Sequence, residues 1–258
     1  MQILFFCDII HTELSGRNDM KKRILITGGS RGIGAACVRY FAGLGDKIAF
    51  IYHNAEKAAE EIANETCAFP VKADVSDAES AKTAFREAID FLGGIDVLIN
   101  CAGIAGFSLF TEISDDDWKH MLDTNLTSAF ILSREAAKIM ISQKSGRIIN
   151  VGSVWGRMGS SCEVHYSASK AGMRGMTQAL AKELGPSGIT VNCVEPGVID
   201  TDMNSMLNDT AIKELADATP LCRIGTADEV AAVIRFLASD DASFITGACI
   251  PVDGGFPV

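Results

Sequence analysis

Ser153, Tyr166 and Lys170 are residue types that could together move a proton to a reacting oxygen. Tyr166 and Lys170 are four apart, so on a helix they share one face and bring a phenol and an ammonium together. A free phenol titrates near ~10 and a free lysine near ~10.4; a cation held beside the phenol favours phenolate and makes the tyrosine a tunable proton donor. Ser153 lies upstream, at the end of a strand-like run, where its hydroxyl can orient a carbonyl and stabilise developing negative charge. The plainer reading, a core tyrosine above a solvated lysine with Ser153 as a turn or helix-capping residue, stays open on spacing alone.

Such groups need a scaffold. From residue 23 onward, short apolar runs at 23–27, 47–52, 68–73, 97–100, 147–151, 190–194 and 248–252 read as strands. Between them, segments near 32–44, 55–65, 77–92, 115–142, 164–185, 203–217 and 226–238 carry helical patterns. This alternation requires parallel strands joined by crossover helices, and continuous apolar strands imply a sheet covered on both faces. The expected fold class is therefore α/β, one doubly wound domain over 20–258 with a parallel seven-stranded sheet. Residues 1–19 read as a disordered, dispensable extension, since the stretch has no basic start, is broken by Asp8 and is too short to span a bilayer. The weakly patterned stretch 195–225 follows a strand, where a mobile substrate lid belongs. Asp115-Asp116-Asp117 reads as a helix N-terminus with favourable dipole placement, not as a metal site.

Thr27-Gly28-Gly29-Ser30-Arg31-Gly32-Ile33-Gly34 follows the first strand and opens the first helix. Glycines permit the tight turn and a close approach of backbone to pyrophosphate, while the helix start supplies unpaired N–H groups and partial positive charge. A merely structural strand-to-helix turn is the alternative.

At this point the chain resembles the short-chain dehydrogenases/reductases. Residues 27–34 match their TGxxxGIG signature, and Asn100-Cys101-Ala102-Gly103 is similar to their NNAG motif with Cys in place of one Asn. Ser153 with Tyr166-x-x-x-Lys170 matches the catalytic Ser and YxxxK, Asn125 the helix Asn of the tetrad, and Pro196-Gly197 the motif after the sixth strand. The resemblance covers about 21–258 and implies a Rossmann fold, with Tyr166 as general acid and Lys170 lowering its pKa while hydrogen-bonding the nicotinamide ribose. It further implies that Asn125 holds a proton-relaying water. Cofactor contacts are implied for Gly28, Ser30, Arg31, Gly32, Ile33, Gly34, His53, Asn54, Asp74, Val75, Asn100, Ala102, Gly103, Tyr166, Lys170, Pro196, Gly197 and Ile199.

The implied cofactor is NADP(H). An Asp at the end of the second strand would accept from a ribose 2′-hydroxyl and repel a 2′-phosphate; Tyr52-His53-Asn54 has no acid there, while Arg31 offers a guanidinium fork. Overall similarity points to a reductase of the 3-oxoacyl-acyl-carrier-protein type, acting in fatty acid biosynthesis on a small-molecule or carrier-bound ketone. Of the basic pair by which such enzymes grip an acidic carrier near the site entrance, Lys144 matches one position and Ser187 stands at the other. Trp155-Gly156 and Ser161-Cys162-Glu163-Val164 resemble reductases of a ketone-bearing modified lysine on translation elongation factor P; other secondary-alcohol dehydrogenases, and a nucleotide sensor that kept the fold without turnover, are the remaining readings. Trp155 and Met158 could line the substrate pocket, and His165 carries no catalytic assignment.

The 48% hydrophobic content is ample for a large core. A net charge of −10 and a pI near 4.9, with no run of Lys or Arg, exclude a nucleic-acid or anionic-membrane surface. Eight scattered cysteines without CxxC or metal-ligand spacing read as reduced, packed thiols of a cytoplasmic protein with no metal site. By resemblance the protein is expected to be a homotetramer, with small residues Ala168, Ala171, Gly172 and Gly175 permitting close helix approach across a two-fold axis or serving packing within the subunit.

Overall fold

Ile24, Leu25 and Ile26 are consecutive and wholly buried, which only a strand covered on both faces allows. They lie on β1 (Arg23–Thr27), at the centre of the sheet in a computed structural model that describes residues 21–204 and 208–256. The other strands of the sheet are β2 (Lys47–Tyr52), β3 (Phe69–Lys72), β4 (Val97–Asn100), β5 (Gly146–Val151), β6 (Ile189–Pro196) and, after a two-stranded side pair, β9 (Cys249–Val252). All seven are parallel, in the order β3-β2-β1-β4-β5-β6-β9. The expected extension over 1–19 lies outside the described residues.

One face of the sheet is covered by α1 (Gly32–Gly43), α2 (Glu56–Thr66) and the late helix α9 (Ala227–Ala238), whose Val38, Phe41, Ile62 and Ile234 pack against Ile24, Phe50 and Ile99. The other is covered by α3 (Ala78–Leu92), α5 (Ser128–Gln143) and α7 (Val164–Leu184), where Phe85, Leu132, Met140 and Leu184 meet Leu25, Leu98 and Ile148. Each such buried side chain contributes about 1.5–3 kcal/mol relative to exposure. Alternate residues of one strand thus anchor two separate cores.

The pattern expected as one helix over 115–142 is broken. Helix α4 (Asp115–Leu122) starts at a capping box in which Ser114 and Asp117 satisfy each other's backbone, and the chain then widens into a π turn, Asp123–Thr127, before α5. Asn125 sits in that turn, and π turns recur where a helix must aim a functional side chain. A short helix α6 (Trp155–Met158), absent from the sequence reading, precedes α7. In the stretch expected to hold a lid, β7 (Ile199–Asp200) pairs with β8 (Gly225–Thr226), and α8 (Asp209–Ala218) begins at its Asn208 cap. The expected helix 203–217 therefore starts later, and residues 205–207 lie outside the described set.

Candidate active site

The strand order reverses between β1 and β4, each leading to a crossover on the opposite face, so a crevice opens at their C-terminal ends. Thr27 closes its floor. Its Oγ1 accepts from the N–H groups of Cys101 and Ala102 at 3.0 and 2.9 Å, tying the two strand ends together. Gly28 holds φ +69°, and a Cβ there would lie 3.0 Å from the Ala102 Cα; a Cβ on Gly34 would strike the Gly28 carbonyl. Helix α1 starts at Arg31 with no side-chain cap, leaving its first N–H groups turned toward the crevice mouth. A nicotinamide dinucleotide fits this cradle: bare backbone at the turn for pyrophosphate and an uncapped helix start for its charge.

Around that turn stand most of the other sequence-predicted cofactor residues. Ser30, Gly32 and Ile33 belong to it, His53 and Asn54 follow β2, and Asp74 and Val75 follow β3. Ala102 and Gly103 follow β4, and Pro196 and Gly197 end β6. Three side chains point elsewhere. Asn100 turns into the interior, donating to Ser133 Oγ at 3.0 Å and Asn150 Oδ1 at 2.8 Å, while Val75 and Ile199 pack in the two cores.

The end of β2 carries no acid of its own, as the sequence reads, but Asp74 from the end of β3 comes close to it. His53 Nε2 lies 4.0 Å from Asp74 Oδ2, and Arg31 Nη1 lies 3.6 Å from Asp202 Oδ2. Burial pulls the Asp74 carboxyl upward, but hydrogen bonds from Ser76 outweigh it and the net shift is downward. Asp74 therefore stays ionised. The Arg31 and Asp202 side chains are 59% and 64% exposed, so their contact is weak and the guanidinium can be drawn to a stronger anion.

Across the crevice, α7 carries Tyr166 and Lys170 on one buried face, and β5 ends just before Ser153. Ser153 neighbours the Tyr166 phenol closely enough to oppose its rise in pKa, and Ser153 Oγ accepts from the Trp155 N–H at 3.2 Å. Lys170 Nζ donates to the Val151 carbonyl at 2.8 Å and lies 5.7 Å from the Tyr166 ring centre. Burial pushes the Tyr166 phenol up to about 12, with the Ser153 hydrogen bond opposing, and burial also lowers the Lys170 ammonium. This corrects the expectation that Lys170 draws the tyrosine toward working pH: the cation is engaged by a backbone carbonyl, and desolvation dominates. Burial likewise pushes the Cys101 thiol up to about 11, against the pull of Lys170.

Asn125 is wholly buried and fastens the loop after β4. Its Oδ1 accepts from the Ile104 N–H at 2.8 Å, and its Nδ2 donates to the Ile104 carbonyl at 2.9 Å and to Ser169 Oγ at 3.1 Å. Ser169 Oγ in turn donates to the Tyr166 carbonyl at 2.7 Å. Thr27 and Ser169 are thus positioning residues that sequence reasoning passed over. Each lies inside a motif already singled out, which was the available signal. The expected carrier-gripping positions Lys144 and Ser187 precede β5 and β6, at the N-terminal edge of the sheet. Within one subunit they are opposite the site, not beside its entrance.

Among the described residues no helix is long and apolar enough to cross a membrane. Residues 28–257 match a family model described as enoyl-(acyl carrier protein) reductase. The chain is 44% identical over 237 residues to a 3-oxoacyl-[acyl-carrier-protein] reductase of Synechocystis, covering 90% of this chain and 95% of that relative. It is 42% identical to proteins named 3-oxoacyl-[acyl-carrier-protein] reductase FabG from Aquifex aeolicus and Pseudomonas aeruginosa, covering 90% and 91% of this chain and 95% and 96% of those relatives. With the glycine turn, the parallel sheet and the Ser153–Tyr166–Lys170 cluster, these matches place the chain in the short-chain dehydrogenase/reductase family, as an oxidoreductase acting on a carbonyl or hydroxyl group.

Proposed function

We propose that this protein reduces the ketone of a 3-oxoacyl thioester to a secondary alcohol with NADPH. The observation that carries the reading is the neighbouring hydroxyls of Ser153 and Tyr166, after β5 and on the buried face of α7, with Lys170 beside them. Two neighbouring hydroxyl donors suit an oxygen that gains negative charge, as a ketone oxygen does on reduction. The Gly28–Gly34 turn would hold the pyrophosphate of the dinucleotide, which when bound would supply the hydride. Ser153 orients the carbonyl and stabilises its developing charge. Tyr166, kept protonated by burial well above neutral pH, gives its proton to the alkoxide, which is far more basic. Lys170 fixes the tyrosine's surroundings through Val151 and would hydrogen-bond the nicotinamide ribose of a bound cofactor. Asn125 holds the loop at Ile104, which would border a bound cofactor. The 2′-phosphate is assigned to Arg31, with His53 and Asn54 adding hydrogen bonds from the strand end.

The same reading takes the protein to be a cytoplasmic homotetramer. Gly172 serves packing within the subunit, since a Cβ there would lie 2.6 Å from Leu126 Cδ2, whereas Gly175 faces open space and is available for close helix approach. The relatives' names make an acyl carrier the natural bearer of the substrate. Stopped-flow or steady-state NADPH oxidation tests the reading with two thioesters, acetoacetyl and its 2-enoyl counterpart. Consumption with the 3-oxo compound alone supports it; consumption with the enoyl compound alone, or with neither, overturns it.

A further inference from the structure

Cys193 on β6 and Cys249 on β9 stand directly opposite each other across neighbouring parallel strands. Glu195, two residues along β6, presents to the same face as Cys193. The two sulfurs and a Glu195 carboxylate oxygen all lie within 4.8 Å of one another. Cys193 and Glu195 are buried, while Cys249 is only partly covered and opens the cluster on one side. Arg174 from α7 donates through a single nitrogen to both Glu195 oxygens, at 2.7 and 2.8 Å. A carboxylate offers about four lone-pair sites, so acceptor capacity remains toward the thiols.

We propose that Cys193, Cys249 and Glu195 form a binding site for one thiophilic divalent cation with the chemistry of zinc(II), distinct from the active site. Two sulfurs and one carboxylate select a borderline-soft ion over magnesium or calcium, which prefer all-oxygen shells. Bonds of about 2.3 Å to sulfur in a tetrahedral site separate ligand atoms by roughly 3.5–4 Å, so closure requires shifts of about 1 Å or less. Charge balances in both states. With both thiols protonated, the ion-free cluster and the Arg174–Glu195 pair sum to zero. On binding, each S–H bond breaks, its proton passes to solvent and a sulfur–metal bond forms; two thiolates, Glu195 and Arg174 with a divalent cation again sum to zero. Burial therefore leaves no uncompensated charge. Arg174 becomes the outer partner that orients the carboxylate ligand. A Cβ on Gly152 would lie 2.8 Å from Cys193 Sγ, so the site backs the strand end that leads to Ser153 and shares no residue with the catalytic cluster.

Cadmium is the probe, because its bonds to thiolate absorb in the ultraviolet. Titration of the full chain in a non-thiol reductant should show this band saturating at one ion per chain. Cys249→Ser and Cys193→Ser should each abolish it, Glu195→Gln should keep the band but weaken affinity about 10–100-fold, and Cys222→Ser should change nothing. Zinc should raise the thermal midpoint of the parent and not of Cys249→Ser. Absence of the band in the folded parent, its persistence in Cys249→Ser, or a mass lower by two hydrogens with no metal uptake, which would mark an oxidisable dithiol, would each overturn the site. If Cys193→Ser fails to fold, the partly exposed Cys249→Ser carries the test.

Discussion

Replacing Asn125 with Ala tests whether this residue acts by holding the loop after β4. The substitution orphans the Ile104 N–H and carbonyl, now bonded at 2.8 and 2.9 Å, and removes a donor to Ser169. An unsatisfied buried backbone group costs about 1–3 kcal/mol; because Ile104 is only partly buried and water can reach it, the lower half of that range applies to each, or about 2–4 kcal/mol in all. For a chain of this size that corresponds to roughly 4–16 °C in the thermal midpoint. Urea unfolding and thermal scans measure the loss directly. Steady-state kinetics should show weaker NADPH binding together with a lower turnover, because Gly103 and Ile104 lose their anchor. A variant within about 0.5 kcal/mol of the parent in stability, the usual scatter of harmless surface changes, would refute the positioning argument and leave a chemical role for the amide instead.

The unmodified protein should prefer NADPH over NADH by at least tenfold, about 1.4 kcal/mol; Arg31→Ala should weaken NADPH far more than NADH, and His53→Asp should reduce the preference, both read from kcat/KM with each cofactor. Equal efficiencies in the parent would show that these residues do not read the phosphate. Light scattering at micromolar concentration should give four times the subunit mass, and a monomer would count against the two-fold helix pairing. Asp96, which ties β1 to β4 through Arg23 at 2.7 and 2.9 Å, is pulled up by burial but held net below the usual carboxylate range by Arg23. Its folded pKa is depressed, so its stabilisation is present above pH ~3.8 and is lost as pH falls through the lower folded value. Asp96→Asn should cost about 1–2 kcal/mol at pH 7, a gap that closes as urea melts are taken to more acidic pH.

The seven strands were legible because each is a short apolar run with no competing period, and their ends came out within a residue or two. Helix α4 and α5 were read as one because the apolar pattern continues through Asp123–Thr127; the widened turn coincides with the tertiary bonds of Asn125 to Ile104, which no local pattern encodes. Catalytic and turn residues were legible as spaced types inside motifs. Side-chain direction was not: Asn100 shares its motif with cofactor-facing backbone yet serves Ser133 and Asn150 inside the core. The Tyr166 pKa went the other way from expectation because spacing shows the nearby cation and says nothing of desolvation. Cys193 and Cys249 gave no metal-ligand spacing because only the β6–β9 register brings them together. Likewise Asp74 reached His53 through the pairing of β2 with β3, which the strand-end argument from one strand could not include.

The proton-donor assignment is the central claim, and Tyr166→Phe tests it most directly. The substitution keeps the buried ring and removes only the hydroxyl that meets Ser153. Reduction of acetoacetyl thioester with NADPH should then slow by about 10²–10⁴-fold in kcat, with NADPH affinity and thermal midpoint close to the parent's. A variant that retains most of its turnover would contradict the mechanism, whatever its cofactor affinity.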